Sequence, residues 1–96
     1  MLTLEQIISI VSTKTGFSVN EIKSPSRKAK LVQARQISMD LCRWNTRSTL
    51  LQIAIAHGRD NHATVIHACT CIGYDKRKNA NLQKIYSEIE TIIKSK

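Results

Sequence analysis

The stretch TLLQIAIAHGRDNHATVIHACTCI, residues 49–72, decides the fold. Thr49 and Gln52 have the Ser/Thr-x-x-Gln spacing of a capping box, so they predict a short helix near 50–56. HGRDN follows as a turn, and Gly58 suits the positive φ such a turn requires. Asp60 or Asn61 is placed to cap the next helix. Val65, Ala68, Cys69 and Ile72 then fall on one face of a helix over about 62–72, with Gly73 expected to end it. Two helices joined by a short glycine-containing turn, the second with a polar start, predict a helix-turn-helix.

Helical spacing continues on both sides. Thr3 and Gln6 make a capping box before Leu4, Ile7, Ile8 and Val11, which share one face, and Gly16 ends that helix. Ser18 and Glu21 make another box and open a short helix at 19–22, with Phe17, Val19 and Ile22 as core contacts. Pro25 stops it, and KSPSRKAK, residues 23–30, reads as a basic loop. A long helix is expected over 29–45. Ala34, Ile37, Leu41 and Trp44 fall on its inner face, with Lys28, Lys30, Arg35, Gln36 and Arg43 outward. After the polar connector YDKRKNAN, residues 74–81, the last helix carries Leu82, Ile85, Tyr86, Ile89, Ile92 and Ile93. No strand-like alternation interrupts this pattern. The expected fold class is all-α, a compact helical domain over residues 1–96 with its core at about 4–93.

Charge narrows the function. The 96 residues hold 15 Lys and Arg against 7 Asp and Glu, a net +8. Residues 23–48 alone hold seven basic side chains against Asp40, a net +6. Such a balance implies an acidic partner, and double-stranded DNA is the commonest. A membrane surface fits less well, because it calls for a basic amphipathic helix with bulky apolar anchors. LEQIISIV, residues 4–11, is too short to span a bilayer, and no secretory signal is evident, so a cytoplasmic, nucleoid-associated protein is expected. Three cysteines, an odd number, suggest reduced thiols rather than a disulfide framework.

Residues 57–71 also hold His57, His62, His67, Cys69 and Cys71, so metal must be weighed. Positions 62 and 67 lie about 140° apart around a helix and positions 69 and 71 about 160° apart, so these ligands diverge. The sequence has no phosphate-binding glycine loop of the G-x-x-x-x-G-K type and no HExxH. Neither catalysis, nor a metal, nor a cofactor is expected.

In a helix-turn-helix the start of the second helix meets base edges in the major groove. Here those positions are Asn61, His62, Ala63 and Thr64, with Ile66 and His67 one turn on. Asn pairs with adenine, His donates to purine acceptors, and Ala and Ile touch a thymine methyl. The plainer alternative makes Asn61 a cap, Thr64 its partner and His67 a surface side chain. Phosphate contacts are expected from Lys28, Lys30, Arg35, Gln36 and Arg43, and from the main chain at the start of the 50–56 helix, at Leu51. Arg27, in the basic loop, is placed to enter an adjacent minor groove.

KSPSRKAKLVQARQISMDLCR (23–43), TLLQIA (49–54) and HATVIHA (62–68) together resemble domain IV of the bacterial chromosomal replication initiator family, DnaA. The resemblance covers about residues 4–93. It implies an all-helical module that binds the DnaA box, with Arg27 as the minor-groove arginine. His62, Thr64, Ile66 and His67 match the family's base-reading run, and Arg35, Gln36 and Arg43 its backbone-contacting positions. The sequence departs from the family at Asn61, where an Asp is usual, and at Ala63, where Ser or Thr is usual. Gln33 and Ala34 replace the family's Arg-Pro, and Arg59 and Asp60 are displaced by one position. A related but altered DNA site is therefore expected. The family's initiators carry an AAA+ ATPase domain ahead of this module, which these 96 residues do not include. An excised fragment or a stand-alone homologue is expected, working as a monomer, with the replication initiator or other replication proteins as partners. Two other classes remain open: a dimeric regulator of the Trp repressor kind, and a protein-binding adaptor using the helix at 82–93.

Overall fold

The computed structural model describes residues 2–96. It contains helices α1 (Leu4–Thr15), α2 (Val19–Ile22), α3 (Ala29–Asn45), α4 (Leu50–Ala56), α5 (Ala63–Asp75) and α6 (Ala80–Lys94), with no strand among the described residues. The fold is all-α, with α4 and α5 forming the helix-turn-helix. Thr3 with Gln6, Ser18 with Glu21 and Thr49 with Gln52 all close as capping boxes, each satisfying two main-chain N–H groups that a helix start leaves free. Gly16 ends α1 at φ +83°, and its N–H returns to the Ser12 carbonyl.

Three expectations need correction. The helix-turn-helix's second helix does not stop at Gly73 but runs on to Asp75. Glycine ends a helix by turning left-handed, and Gly73 stays helical, because its modest propensity cost is smaller than that of breaking the turn that seats Ile72. Trp44 does not join the inner face of α3. It is 66% exposed, its indole N–H donates to the Asp40 carboxylate at 3.0 Å, and the Arg43 guanidinium lies 4.8 Å from the ring centroid. Arg35 is not outward but only 5% exposed.

Helix α3 explains the last of these. It packs against all five other helices, so its middle is buried almost all the way round, from Ala34 and Arg35 through Ile37 to Cys42. Ile7, Ile8 and Val11 of α1, Ile53 of α4, Val65 and Ile72 of α5, and Leu82 and Ile89 of α6 close the core around it. Each fully buried Ile or Leu contributes roughly 1.5–3 kcal/mol relative to exposure.

A helix enclosed in this way also carries polar side chains inward, and each of those on α3 has a partner on a different element. Arg35 donates from Nε to the Ile22 carbonyl at 2.7 Å and from Nη2 to the carbonyls of Ser24 at 2.8 Å and Ser26 at 3.1 Å. Ser38 meets Nε2 of His57 at 2.7 Å, just past the end of α4. Asp40 accepts the phenolic hydrogen of Tyr86 from α6 as well as the Trp44 indole N–H. Lys76 sits 3.8 Å above the Tyr86 ring. Burial first, and then Asp40 as acceptor, push the Tyr86 phenol well above its ordinary range.

His57 opens the expected turn and is fully buried there. Its Nδ1 lies 2.7 Å from the Ile53 carbonyl, which can only accept, so Nδ1 carries the hydrogen and Nε2 accepts from Ser38. Burial pulls the His57 pKa from 6.5 down to about 4, so the ring is neutral in the fold.

Two outcomes follow from these buried groups. Tyr86→Phe removes the donor but leaves the buried Asp40 oxygen, which should lower the unfolding free energy by about 1–3 kcal/mol in urea titrations. His57 has a folded pKa below its unfolded value, so its contribution is complete above pH 6.5 and lost as pH falls towards about 4. The loss should reach roughly 3 kcal/mol, and unfolding curves across that window measure it.

Candidate nucleic-acid interface

The basic loop, one flank of α3 and the start of α5 border a single open groove. Ser26 and Arg27 line it from the loop, Arg35 and Gln36 from α3, Arg59 from the helix-turn-helix turn, and Thr64 and His67 from α5. The sequence separates these segments by as much as 41 positions, and the packing of α5 along α3 brings them together.

The turn is built around Gly58, at φ +76°. A Cβ at this position would lie 2.3 Å from the Lys23 carbonyl oxygen, so the turn presses its main chain against the start of the basic loop. Only glycine fits both the backbone angle and the approach. Past the turn, the Asn61 side-chain oxygen accepts from the Ala63 N–H at 2.8 Å and so caps α5. Asn61 keeps its amide N–H₂ and a second lone pair free for other partners.

Of the expected base-reading side chains, Asn61, His62, Ala63, Ile66 and His67 are exposed at the first two turns of α5, and Thr64 is half-buried on the groove wall. Arg27 is exposed on the loop. Of the expected phosphate contacts, Lys28 and Lys30 are exposed at the start of α3, whose first turn has no side-chain cap. Gln36 is half-buried on the groove wall, and Arg43 is half-buried beside Trp44. Leu51 is 47% exposed near the start of α4, where the capping box occupies the N–H groups of Thr49 and Gln52 but not its own. Arg35 is the exception, with its guanidinium spent on the carbonyl that ends α2 and on two of the loop. Burial first, then the nearby Arg59 charge, lower its pKa.

Arg59 was not among the expected site residues. It donates from Nη2 to the Ser24 carbonyl at 3.0 Å and from Nη1 to the His57 carbonyl at 3.3 Å. Its sequence position, one residue after a glycine in a turn, carries no sign that it crosses to residue 24.

The candidate ligands and nucleophiles disperse. His57 is enclosed, with both ring nitrogens hydrogen-bonded. Burial pushes the thiols of Cys42 and Cys69 up to about 12 and about 11, which keeps them protonated and unreactive. Cys71 Sγ lies 3.4 Å from His67 Nε2, a pair at the i, i+4 spacing, but no group of three or more His, Cys, Asp or Glu side chains gathers among the described residues. No helix among them is long and apolar enough to cross a membrane.

Comparison with known proteins identifies the family of the fold. The family described as "Bacterial dnaA protein helix-turn-helix" matches residues 4–72. The chromosomal replication initiator protein DnaA of Porphyromonas gingivalis is 36% identical over 92 residues, which cover 96% of this chain and 20% of that protein. The DnaA of Aquifex aeolicus is 33% identical over 87 residues, 91% of this chain and 22% of that protein. The chain thus spans about a fifth of the length of these curated relatives. A solved structure described as a DNA replication initiation factor superposes with a TM-score of 0.81 at 31% identity, covering 94% of this chain and 27% of its own. The chain belongs to the bacterial DnaA helix-turn-helix family.

Proposed function

We propose that residues 4–93 act as one sequence-specific double-stranded DNA-binding unit serving replication initiation or its control. The observation that carries this reading is the shared groove: Arg27 from a basic loop and Thr64 and His67 from α5 border the same open channel, although they are far apart in sequence. The start of α5 enters the major groove, where His62, Thr64, Ile66 and His67 meet base edges. Arg27 enters the neighbouring minor groove, where a narrow A·T stretch concentrates negative potential. Lys28, Lys30, Gln36 and Arg43, with the main chain at Leu51, contact phosphates and set the register without reading sequence. The unit carries no catalytic step of its own, and the initiator and its accessory proteins are the partners that its family suggests.

The target is related to the DnaA box but differs from it. Asn61 stands where the family has a carboxylate that accepts from cytosine, and its own oxygen is engaged in capping α5. Ala63 adds a methyl contact where a hydroxyl is usual. The sequence recovered by in vitro selection should therefore bind more tightly than a standard DnaA box.

The same selection tests the function. Arg27→Ala or His62→Ala should each cost about 1–3 kcal/mol on the selected site and relax preference at the base pair each one reads. Arg43→Ala should weaken selected and random duplexes alike, and wild-type affinity should fall steeply with salt as counterions are released. Equal losses on selected and random DNA for His62→Ala would refute major-groove readout.

A further inference from the structure

The loop bearing Arg27 contains Pro25 and two serines and has no secondary structure of its own. A minor-groove arginine on a free loop would lose conformational entropy on binding and would tolerate many positions relative to α5. This loop is not free. The main chain of the helix-turn-helix turn lies against it, so close that a Cβ on Gly58 would meet the Lys23 carbonyl at 2.3 Å. Two guanidiniums then converge on the next carbonyl: Ser24 accepts from Arg35 at 2.8 Å and from Arg59 at 3.0 Å. Arg35 extends its grip to Ile22 and Ser26, while Arg59 holds the His57 carbonyl on the turn side.

Bringing two like charges onto one carbonyl is unfavourable, and the Arg59 charge adds to burial, the larger cause, in lowering the pKa of Arg35. Neither guanidinium forms a contact ion pair with Asp or Glu, since the ion pairs among the described residues join Lys14 to Glu88, Lys23 to Glu5 and Lys94 to Glu90. The arrangement has a geometric result instead. Arg59 bridges the turn that starts α5 to the loop that carries Arg27, across 35 positions of sequence.

We propose that Arg59 is a specificity-positioning residue, which fixes the distance between the minor-groove arginine and the major-groove helix so that the two read one continuous site. This rests on the DNA-binding function proposed above. Arg59 acts through Arg27 and reads no base itself. Its planar fork suits the task, since one guanidinium reaches two carbonyls that a lysine ammonium cannot hold in the same fixed geometry.

The test is position-resolved binding on the selected duplex and on duplexes with each base pair changed in turn. It uses wild type, R27A, R59A, R59K and the R27A/R59A double variant, with thermal unfolding of each as a check on folding. R59A should lose discrimination by about tenfold at the base pairs that R27A affects and by no more than about twofold at those that His62 affects. The double variant should be no worse there than R27A alone, as two residues acting through one contact are not additive. R59K should keep the salt dependence of wild type yet share the discrimination loss of R59A. In the free protein, amide exchange at residues 26–28 should speed up in R59A. A uniform loss at every base pair, an additive double variant, or full rescue by lysine would overturn the proposal and leave the function intact. Absence of any base-pair preference in wild type would overturn the function and this proposal together.

Discussion

The Arg35 guanidinium is the contact on which the rest of the interface depends. It is a buried cation with no carboxylate beside it, held by the carbonyls of Ile22, Ser24 and Ser26. They are the carbonyl that ends α2 and two in the loop after it, which no following helical turn satisfies, and main-chain carbonyls of that kind need a donor. One side chain therefore solves two problems. It gives the loop's carbonyls their partner, and it anchors to α3 the loop that presents Arg27, Lys28 and Lys30. Truncating it would take the donor from the Ile22 and Ser26 carbonyls, with only Ser24 keeping a second partner in Arg59, whereas truncating the exposed Arg27 beside it would leave no acceptor unpaired.

Around that anchor, α3 acts as the common frame. Its apolar residues supply the core, and its inward polar residues choose which neighbour goes where: Arg35 the loop, Ser38 the turn through His57, Asp40 the last helix through Tyr86. Apolar contacts alone tolerate sliding and repacking, while a hydrogen bond to a buried donor or acceptor tolerates very little. The helix-turn-helix is thus fixed at its turn by His57 and Gly58 and along its second helix by Val65, Ala68 and Ile72. The basic loop and α5 are both held against one helix, which is the arrangement the proposed two-groove readout needs if its precision is not to be left to loops.

Local signals are legible in the sequence where the physics is local. Capping boxes at Thr3, Ser18 and Thr49 depend on residues three apart, and all three close as expected. Gly16 and Gly58 take positive φ because a turn there demands it. The readings that failed depend on contacts distant in sequence. Arg35 sits on a polar flank of its helix by periodicity, and only the loop folded over α3 makes that flank interior. Nothing in HGRDN marks His57 as buried, because its partner, Ser38, lies 19 positions away. Trp44 has the spacing of a core residue, but covers Asp40 instead. Arg59 carries no periodic or compositional mark at all. The exposed, polar start of α5, from Asn61 to Ala63, was legible because a helix start facing solvent needs no distant partner.

The central claim is that one rigid unit reads two adjacent grooves of the same duplex. Methylation interference on the selected site tests it most directly, since one reagent modifies guanine N7 in the major groove and adenine N3 in the minor groove. The account predicts that binding is blocked by both kinds of lesion, in neighbouring grooves on one face of the DNA. Interference confined to a single groove, or absent from both, would contradict it.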